Sequence, residues 1–377
     1  MRVLITGGAG FIGSHTADGL IGAGHTVRIL DSLHPRVHRG SVPEYLSPDA
    51  EFIKGDVRSR DDMTQALQGV DAVIHLAAYQ DYMTDFSHFF DTNTTGSALL
   101  YELVVEHNLP IKKIIVASSQ AVYGEGPYSC PNAACSVQGQ GLQWPASRTE
   151  GQLEKGQWDI LCPGCGAVLQ HEAANEAHVN PGNSYAISKY AQEMIGLALG
   201  RRYGIPTTAM RYSIVQGPRQ SFLNAYSGVC RIFSLRMHLG YPPMAYEDGG
   251  QLRDYVNIGD VVQANMLVLE HPATDGEVYN VGGGQTVSVL DFARVLIGTF
   301  GKDVAPEIPG KYRFGDTRHI LSDISKLTKL GWVPRVNVDL SVRDYVDWLV
   351  TQPDLEDFIA TADRTMEKRQ VVREVRA

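Results

Sequence analysis

Between a β-branched run at residues 3–6 and a helical pattern at 11–22, the chain reads Thr6-Gly7-Gly8-Ala9-Gly10-Phe11-Ile12-Gly13. Nothing else in the sequence narrows the fold as far. Glycines at 7, 10 and 13 permit a tight turn, close backbone approach to a pyrophosphate, and tight packing of helix on strand. The helix then opens on free N–H groups and a positive dipole end, which suit phosphate oxygens. Asp31 closes the next β-branched run, 26–30. An acid there accepts hydrogen bonds from a ribose 2′-hydroxyl and repels a 2′-phosphate, so the expected cofactor is NAD and not NADP. A glycine turn with an unrelated aspartate is the plain alternative, and the strand–turn–helix order disfavours it.

The rest of the chain keeps that rhythm. Strand-like runs at 3–6, 26–30, 51–54, 72–75, 113–117 and 207–211 alternate with helical periods at 11–22, 59–68, 86–107 and 185–203. Such alternation predicts a parallel α/β sheet with helices on both faces. Residues 1–125 and 179–212 form this first domain in our reading. The segment 126–178 interrupts it, has neither period, and needs a stabilising device of its own. Helical patterns at 225–240, 258–270, 289–300 and 341–350 predict a smaller mixed α/β lobe over 213–352, some of which can return to the first domain. Residues 353–377 read as a charged tail, a solvated helix or a frayed end.

Composition excludes several classes. Hydrophobic residues make up 44% of the 377 and charged residues 20%, which rules out a mainly disordered chain. No apolar run approaches the ~18 residues that a membrane helix needs. With 33 basic against 42 acidic residues, the charge of −9 opposes nucleic-acid binding. A strand expected from position 3 leaves no room for a leader in this reading, and five cysteines without one suggest a reducing, cytoplasmic setting.

Tyr185 and Lys189 stand four residues apart at the start of a helical pattern and so share one face. An ammonium beside a phenol lowers its pKa from about 10 toward working pH, which lets the phenol take a proton from a sugar hydroxyl. Alone, the spacing describes any solvated helix face. It gains meaning after Ala117-Ser118-Ser119-Gln120-Ala121-Val122-Tyr123-Gly124, which ends the fifth strand at the sheet edge where ligands of such folds bind.

These motifs, with Gly55-Asp56-Val57, His75-Leu76-Ala77-Ala78, Gly217-Pro218-Arg219-Gln220, Arg253-Asp254-Tyr255-Val256 and Tyr279-Asn280-Val281-Gly282, resemble the extended short-chain dehydrogenase/reductase family, in its nucleotide-sugar epimerase and dehydratase group. The resemblance implies a Rossmann-type doubly wound sheet. It places Gly7, Gly10, Phe11, Ile12, Gly13, Asp31, Leu76, Ala77 and Ala78 around NAD, with Asp56 and Val57 by the adenine. It makes Tyr185 and Lys189 catalytic and cofactor-binding, has Ser119 hold the reacting hydroxyl beside Gln120, and gives Arg219 and Arg253 the nucleotide diphosphate. It also implies a homodimer through the helices near 86–107 and 185–203. Buried His75 reads as structural.

Two departures narrow the chemistry. Family dehydratases carry an Asp-Glu pair, and decarboxylases a Glu, where this chain has Gln120 and Ala121. Neither exchanges a proton near neutrality, so elimination lacks its acid and base and epimerisation is favoured. Ile214 replaces an asparagine expected near the sugar phosphate.

Cys130-x4-Cys135 and Cys162-x2-Cys165 lie 26 residues apart within the interruption. Two close pairs can supply four thiolates to a structural Zn2+, as in a zinc ribbon; two disulfides are the alternative, which a reducing compartment disfavours. With two basic residues (Arg148, Lys155) against five acidic ones, this insertion is ill-suited to nucleic acid and reads as a lid or subunit contact. Cys230 reads as a small buried hydrophobe. A zinc-ribbon insertion at this point resembles a branch of the family described as dTDP-L-rhamnose 4-epimerases. The expectation is therefore an NAD-dependent nucleotide-sugar epimerase acting at C4, on a 6-deoxy sugar of the rhamnose type. A keto-sugar reductase on the same scaffold and a non-enzymatic zinc-ribbon interaction protein are the rivals.

Overall fold

The computed structural model describes residues 1–38, 40–81, 84–137, 141–222, 228–353, 355 and 358–376. Seven strands form the main sheet: β1 (Arg2–Thr6), β2 (Thr26–Asp31), β3 (Glu51–Lys54), β4 (Ala72–His75), β5 (Lys113–Ser119), β6 (Thr207–Tyr212) and β7 (Val278–Val281). Their order is β7-β6-β5-β4-β1-β2-β3, and every pairing is parallel. Chain order reverses direction at β1, which leaves a crevice at the carboxyl ends of β1 and β4.

Side-chain alternation in β1 sets the two layers. Val3 and Ile5 join one core with Ala17 and Leu20 of α1 (Phe11–Gly22), while Leu4 faces the other with Met63 of α2 (Arg60–Leu67) and Leu100 of α3 (Gly96–Glu106). All are at most 1% exposed, and each fully buried Leu or Ile contributes about 1.5–3 kcal/mol. The 20-residue helix α4 (Ser184–Tyr203) starts under an Asn183 cap, whose Oδ1 accepts from the Ala186 N–H at 2.9 Å. It ends at Gly204, which takes the left-handed φ of 69°.

The expected helix over 86–107 is continuous in direction but contains a wider π turn at Phe90–Thr95. Residues 225–227 of the expected helix 225–240 lie outside the described residues; the helix itself runs Val229–His238.

The second lobe is not a single block. Val278–Val281 returns to the main sheet as β7, and α5 (Ile258–Glu270) packs on α1. What remains is a small sheet centred on Leu252–Asn257 and three helices, Val229–His238, Val289–Phe300 and Val338–Leu349, sharing a core of Phe233, Phe292 and Tyr345. The chain end, expected as a solvated helix or a frayed end, is a helix followed by a short strand. Phe358–Lys368 is a helix, and Val372–Glu374 pairs antiparallel with Lys311–Arg313. Ile359 and Met366, two helical turns apart, form a buried apolar stripe among the charges.

Candidate active site

A cavity of about 940 Å3 runs from the carboxyl edge of the main sheet into the second lobe. Gly7 forms the turn with φ of 67°, and a Cβ there would stand 2.8 Å from the backbone nitrogen of Ala77. A Cβ on Gly13 would come within 2.4 Å of the Gly7 carbonyl oxygen. Only glycine fits either place. The first turn of α1, begun at Gly10, has no side-chain cap and no acid, so its N–H groups suit an anion. Asp31 ends β2 on the cavity wall; its carboxylate accepts from the N–H groups of Ala9 (3.0 Å) and Leu33 (2.9 Å), tying the glycine turn to the second strand. Phe11, Ile12, Asp56, Val57, Leu76, Ala77 and Ala78 line the same end. The Arg58 guanidinium, 2.7 Å from Asp56, holds that carboxyl below its usual range. This half has the shape and donor set of a dinucleotide cradle.

Ser119, Tyr185 and Lys189, the expected reacting groups, line the same cavity. Ser119 is the last residue of β5, and its hydroxyl accepts from the Ala121 N–H at 3.1 Å, capping the short 3₁₀ turn Gln120–Tyr123. Tyr185 and Lys189 occupy the first turns of α4 and line the cavity, with the Tyr185 ring edge-on to Phe89 at 6.4 Å. Lys189 is 2% exposed; its ammonium donates to Gln192 Oε1 at 2.6 Å, and burial pushes its pKa down to about 7. Gln120 lines the cavity as a buried amide whose Oε1 has no partner among the described residues. His75 is structural: Thr6 Oγ1 lies 2.8 Å from one ring nitrogen and Ser97 Oγ 3.1 Å from the other. Burial, with Lys189 nearby, keeps it neutral by lowering its pKa to about 3.

The second-lobe end is rich in arginine. Arg253 lines it with Arg231 and Arg313, and its guanidinium donates to the carbonyls of Thr317 and Arg318, both at 2.9 Å. Arg219 departs from the expectation. It is absent from the cavity wall because its guanidinium is drawn to Asp18 on α1 (2.7 Å) and to the Tyr45 ring (5.1 Å). Ile214 is on the wall, while the Ser213 hydroxyl donates to Asp254 at 2.8 Å. Sequence reasoning missed Tyr246, Gln251 and the chain-end residues Met366 and Arg369, which also line this end. The buried stripe of 359 and 366 was the available signal.

The four insertion cysteines come together. Their sulfurs all lie within 4.8 Å of one another, and the pairs Cys130–Cys165 and Cys135–Cys162 stand 3.7 Å apart. Backbone N–H groups of Asn132, Val137 and Gly164 donate to Cys130, Cys135 and Cys162 respectively. Tyr128, Val137, Ile160 and Leu169 pack around them. No described residue of 126–178, expected as a lid or subunit contact, lines the cavity. Cys230 is fully buried, as expected. Among the described residues, no helix is long and apolar enough to cross a membrane.

Residues 3–139 and 163–282 match the NAD dependent epimerase/dehydratase family. A dTDP-L-rhamnose 4-epimerase of Burkholderia thailandensis is 31% identical over 94% of this chain and 96% of its own. A putative UDP-glucose 4-epimerase of Methanocaldococcus jannaschii is 31% identical over 92% and 98%. Among solved structures, the UDP-glucose 4-epimerase of Thermotoga maritima with UDP-glucose superposes with a TM-score of 0.73 at 29% identity, covering 93% of this chain and 99% of that one. The Thermus thermophilus UDP-glucose 4-epimerase in complex with NAD gives 0.70 at 28%, with the same coverage. With its glycine turn, its Ser119–Tyr185–Lys189 wall and a family match spanning most of its length, the chain belongs to the NAD-dependent epimerase/dehydratase family.

Proposed function

We propose that this chain is an NAD-dependent nucleotide-sugar epimerase that inverts C4 through a transient 4-keto sugar, with a 6-deoxy sugar of the dTDP-L-rhamnose type as substrate. The observation that carries this reading is a single cavity walled by Ser119, Tyr185 and Lys189, with Gln120 and Ala121 where an elimination enzyme needs acids. NAD, held by the glycine turn and Asp31, supplies reversible hydride acceptance at the sugar carbon. Ser119 orients the C4 hydroxyl. The Tyr185 phenol takes its proton and later returns it, and Lys189, one turn along the same helix, steadies the charge that develops on the phenol oxygen. Gln120 can hydrogen-bond a hydroxyl without exchanging a proton near neutrality. The arginines of the second-lobe end suit an anionic diphosphate.

Ile214 on the wall favours a methyl over a hydroxymethyl group, a difference of only about 1–3 kcal/mol, so the similarity to the Burkholderia protein is the second support for a deoxy sugar. We read the four thiols as a structural zinc site. Tetrahedral Zn–S bonds of about 2.3 Å put sulfurs about 3.8 Å apart, close to the 3.7 Å of two pairs here. Exposed Phe86, Ile187 and Met194 on the helices of the Tyr185 wall are consistent with a homodimer through that face. The test is to incubate the purified protein, without added cofactor, with dTDP-L-rhamnose and, separately, with UDP-glucose and UDP-glucuronate. Inversion of dTDP-L-rhamnose supports the reading. Turnover of a UDP-hexose alone refutes the deoxy-sugar assignment, and a requirement for added NADH points to a reductase.

A further inference from the structure

The insertion lies outside the cavity, yet its one buried cation reaches the back of the cavity wall. Arg148 is 4% exposed and forms a fork on Glu247, with Nη1 and Nη2 each 2.9 Å from a carboxylate oxygen. Nη2 also donates to the Asp316 carbonyl at 2.9 Å, and Nη1 to the Trp158 carbonyl of the insertion itself at 3.0 Å. Glu247 directly follows Tyr246, and Asp316 precedes Thr317; Tyr246, Asp316 and Thr317 are all wall residues. Glu247 has a φ of 56°, a left-handed conformation that a long side chain adopts only when its surroundings hold it there.

A second guanidinium completes the grip. Arg318 donates to Glu247 (3.1 Å), to both carboxylate oxygens of Asp248 (2.7 and 2.9 Å), and to Asp159 of the insertion (3.0 Å). Its backbone N–H donates to Glu125 at 2.8 Å, and its carbonyl accepts from Arg253 on the cavity wall. The insertion, Glu125 and both loops of the arginine-rich end thus share one buried network. Removing one member leaves its partners buried and unpaired, which displaces the loops and not merely the residue removed.

We propose that Arg148 is a positioning residue through which the cysteine-bearing insertion fixes the two segments, 244–253 and 313–318, that receive the nucleotide end of the substrate. The inference rests on the nucleotide-sugar reading above and assigns the insertion a task in substrate affinity. Arg148 touches neither the reacting carbon nor the NAD end, so its loss acts on KM and leaves kcat nearly intact.

The experiment compares Arg148→Met, Arg148→Lys and Asp159→Asn. The last removes a charge from a half-exposed partner of Arg318 and so spares folding. Bound NAD per chain reports that the first domain is intact. The direct readout is binding of dTDP and UDP by calorimetry, beside KM and kcat for epimerisation. We expect Arg148→Met to weaken diphosphate binding and raise KM at least tenfold, with kcat within about threefold and NAD content unchanged. Arg148→Lys, which keeps the charge but loses the fork, should fall between it and the wild type. Asp159→Asn should raise KM a few-fold. Wild-type binding in folded variants overturns the inference, as does an equal fall in kcat and NAD content, which marks a merely structural role. If wild-type protein binds neither diphosphate, the proposed function falls and this inference with it; wild-type-like variants refute the inference alone.

Discussion

Replacing Lys189 by methionine should make the protein more stable while removing its activity. Lys189 is 2% exposed, and its ammonium donates to Gln192 Oε1 at 2.6 Å. Lowering its pKa from 10.5 to about 7 corresponds to a desolvation cost of about 5 kcal/mol in the folded state. Above pH 10.5 the amine is neutral in both folded and unfolded chains and there is no penalty. The penalty grows as pH falls toward 7 and is then constant. Methionine keeps the volume without the charge, but leaves Gln192 Oε1 unpaired at a cost of about 1–3 kcal/mol. Cofactor-free Lys189→Met should therefore exceed the wild type by about 2–4 kcal/mol at pH 6 in urea unfolding. By pH 9.5 the gap should narrow by about 3 kcal/mol. Epimerase kcat should fall by about 10²–10⁴. A variant less stable than wild type at pH 6, or a gap equal at both pH values, would refute the buried-ammonium assignment.

Three further outcomes follow from the geometry. Gly13→Ala would force a Cβ to within 2.4 Å of a backbone oxygen that cannot move freely, so the purified variant should hold NAD at least about tenfold more weakly, as measured by nucleotide release on denaturation. Asp31→Ala should weaken NAD and relax rejection of NADP in binding titrations; it also frees the Ala9 and Leu33 N–H groups, costing about 1–3 kcal/mol of stability. Elemental analysis should find one zinc per chain, and Cys162→Ser should make the insertion protease-sensitive before the first domain; metal-free protein with disulfides would contradict the site.

The first domain was legible because its signals are local. β-Branched runs, the glycine turn and the Asn183 cap each specify their own segment, and the carboxyl edge of a parallel sheet then gathers Asp31, Ser119 and Tyr185 without further information. The four cysteines were equally legible, since spacing alone brings each pair together. Long-range pairings were not. Nothing near Arg219 in sequence announces that Asp18 and Tyr45, far along the chain, claim its guanidinium. The same holds for Arg148, whose partners lie at 247 and 316. A helix at the chain end was one of two readings, but its docking was not legible, because its charges outnumber the apolar stripe that docks it and a three-residue strand pairing with Lys311–Arg313 leaves little trace in composition. Gln120 and Ala121 were informative as substitutions: chemistry that a site lacks can be read from one position when its neighbours are placed.

The most direct test of the proposed mechanism follows an isotope. Purified protein, with no cofactor added, is given dTDP-L-rhamnose bearing deuterium at C4, and the product is examined by mass spectrometry and NMR. Internal return at one carbon predicts the C4 epimer with its deuterium retained and none gained by solvent. Inversion with loss of the label to water would contradict the mechanism, because the C4 hydrogen would then have left as a proton.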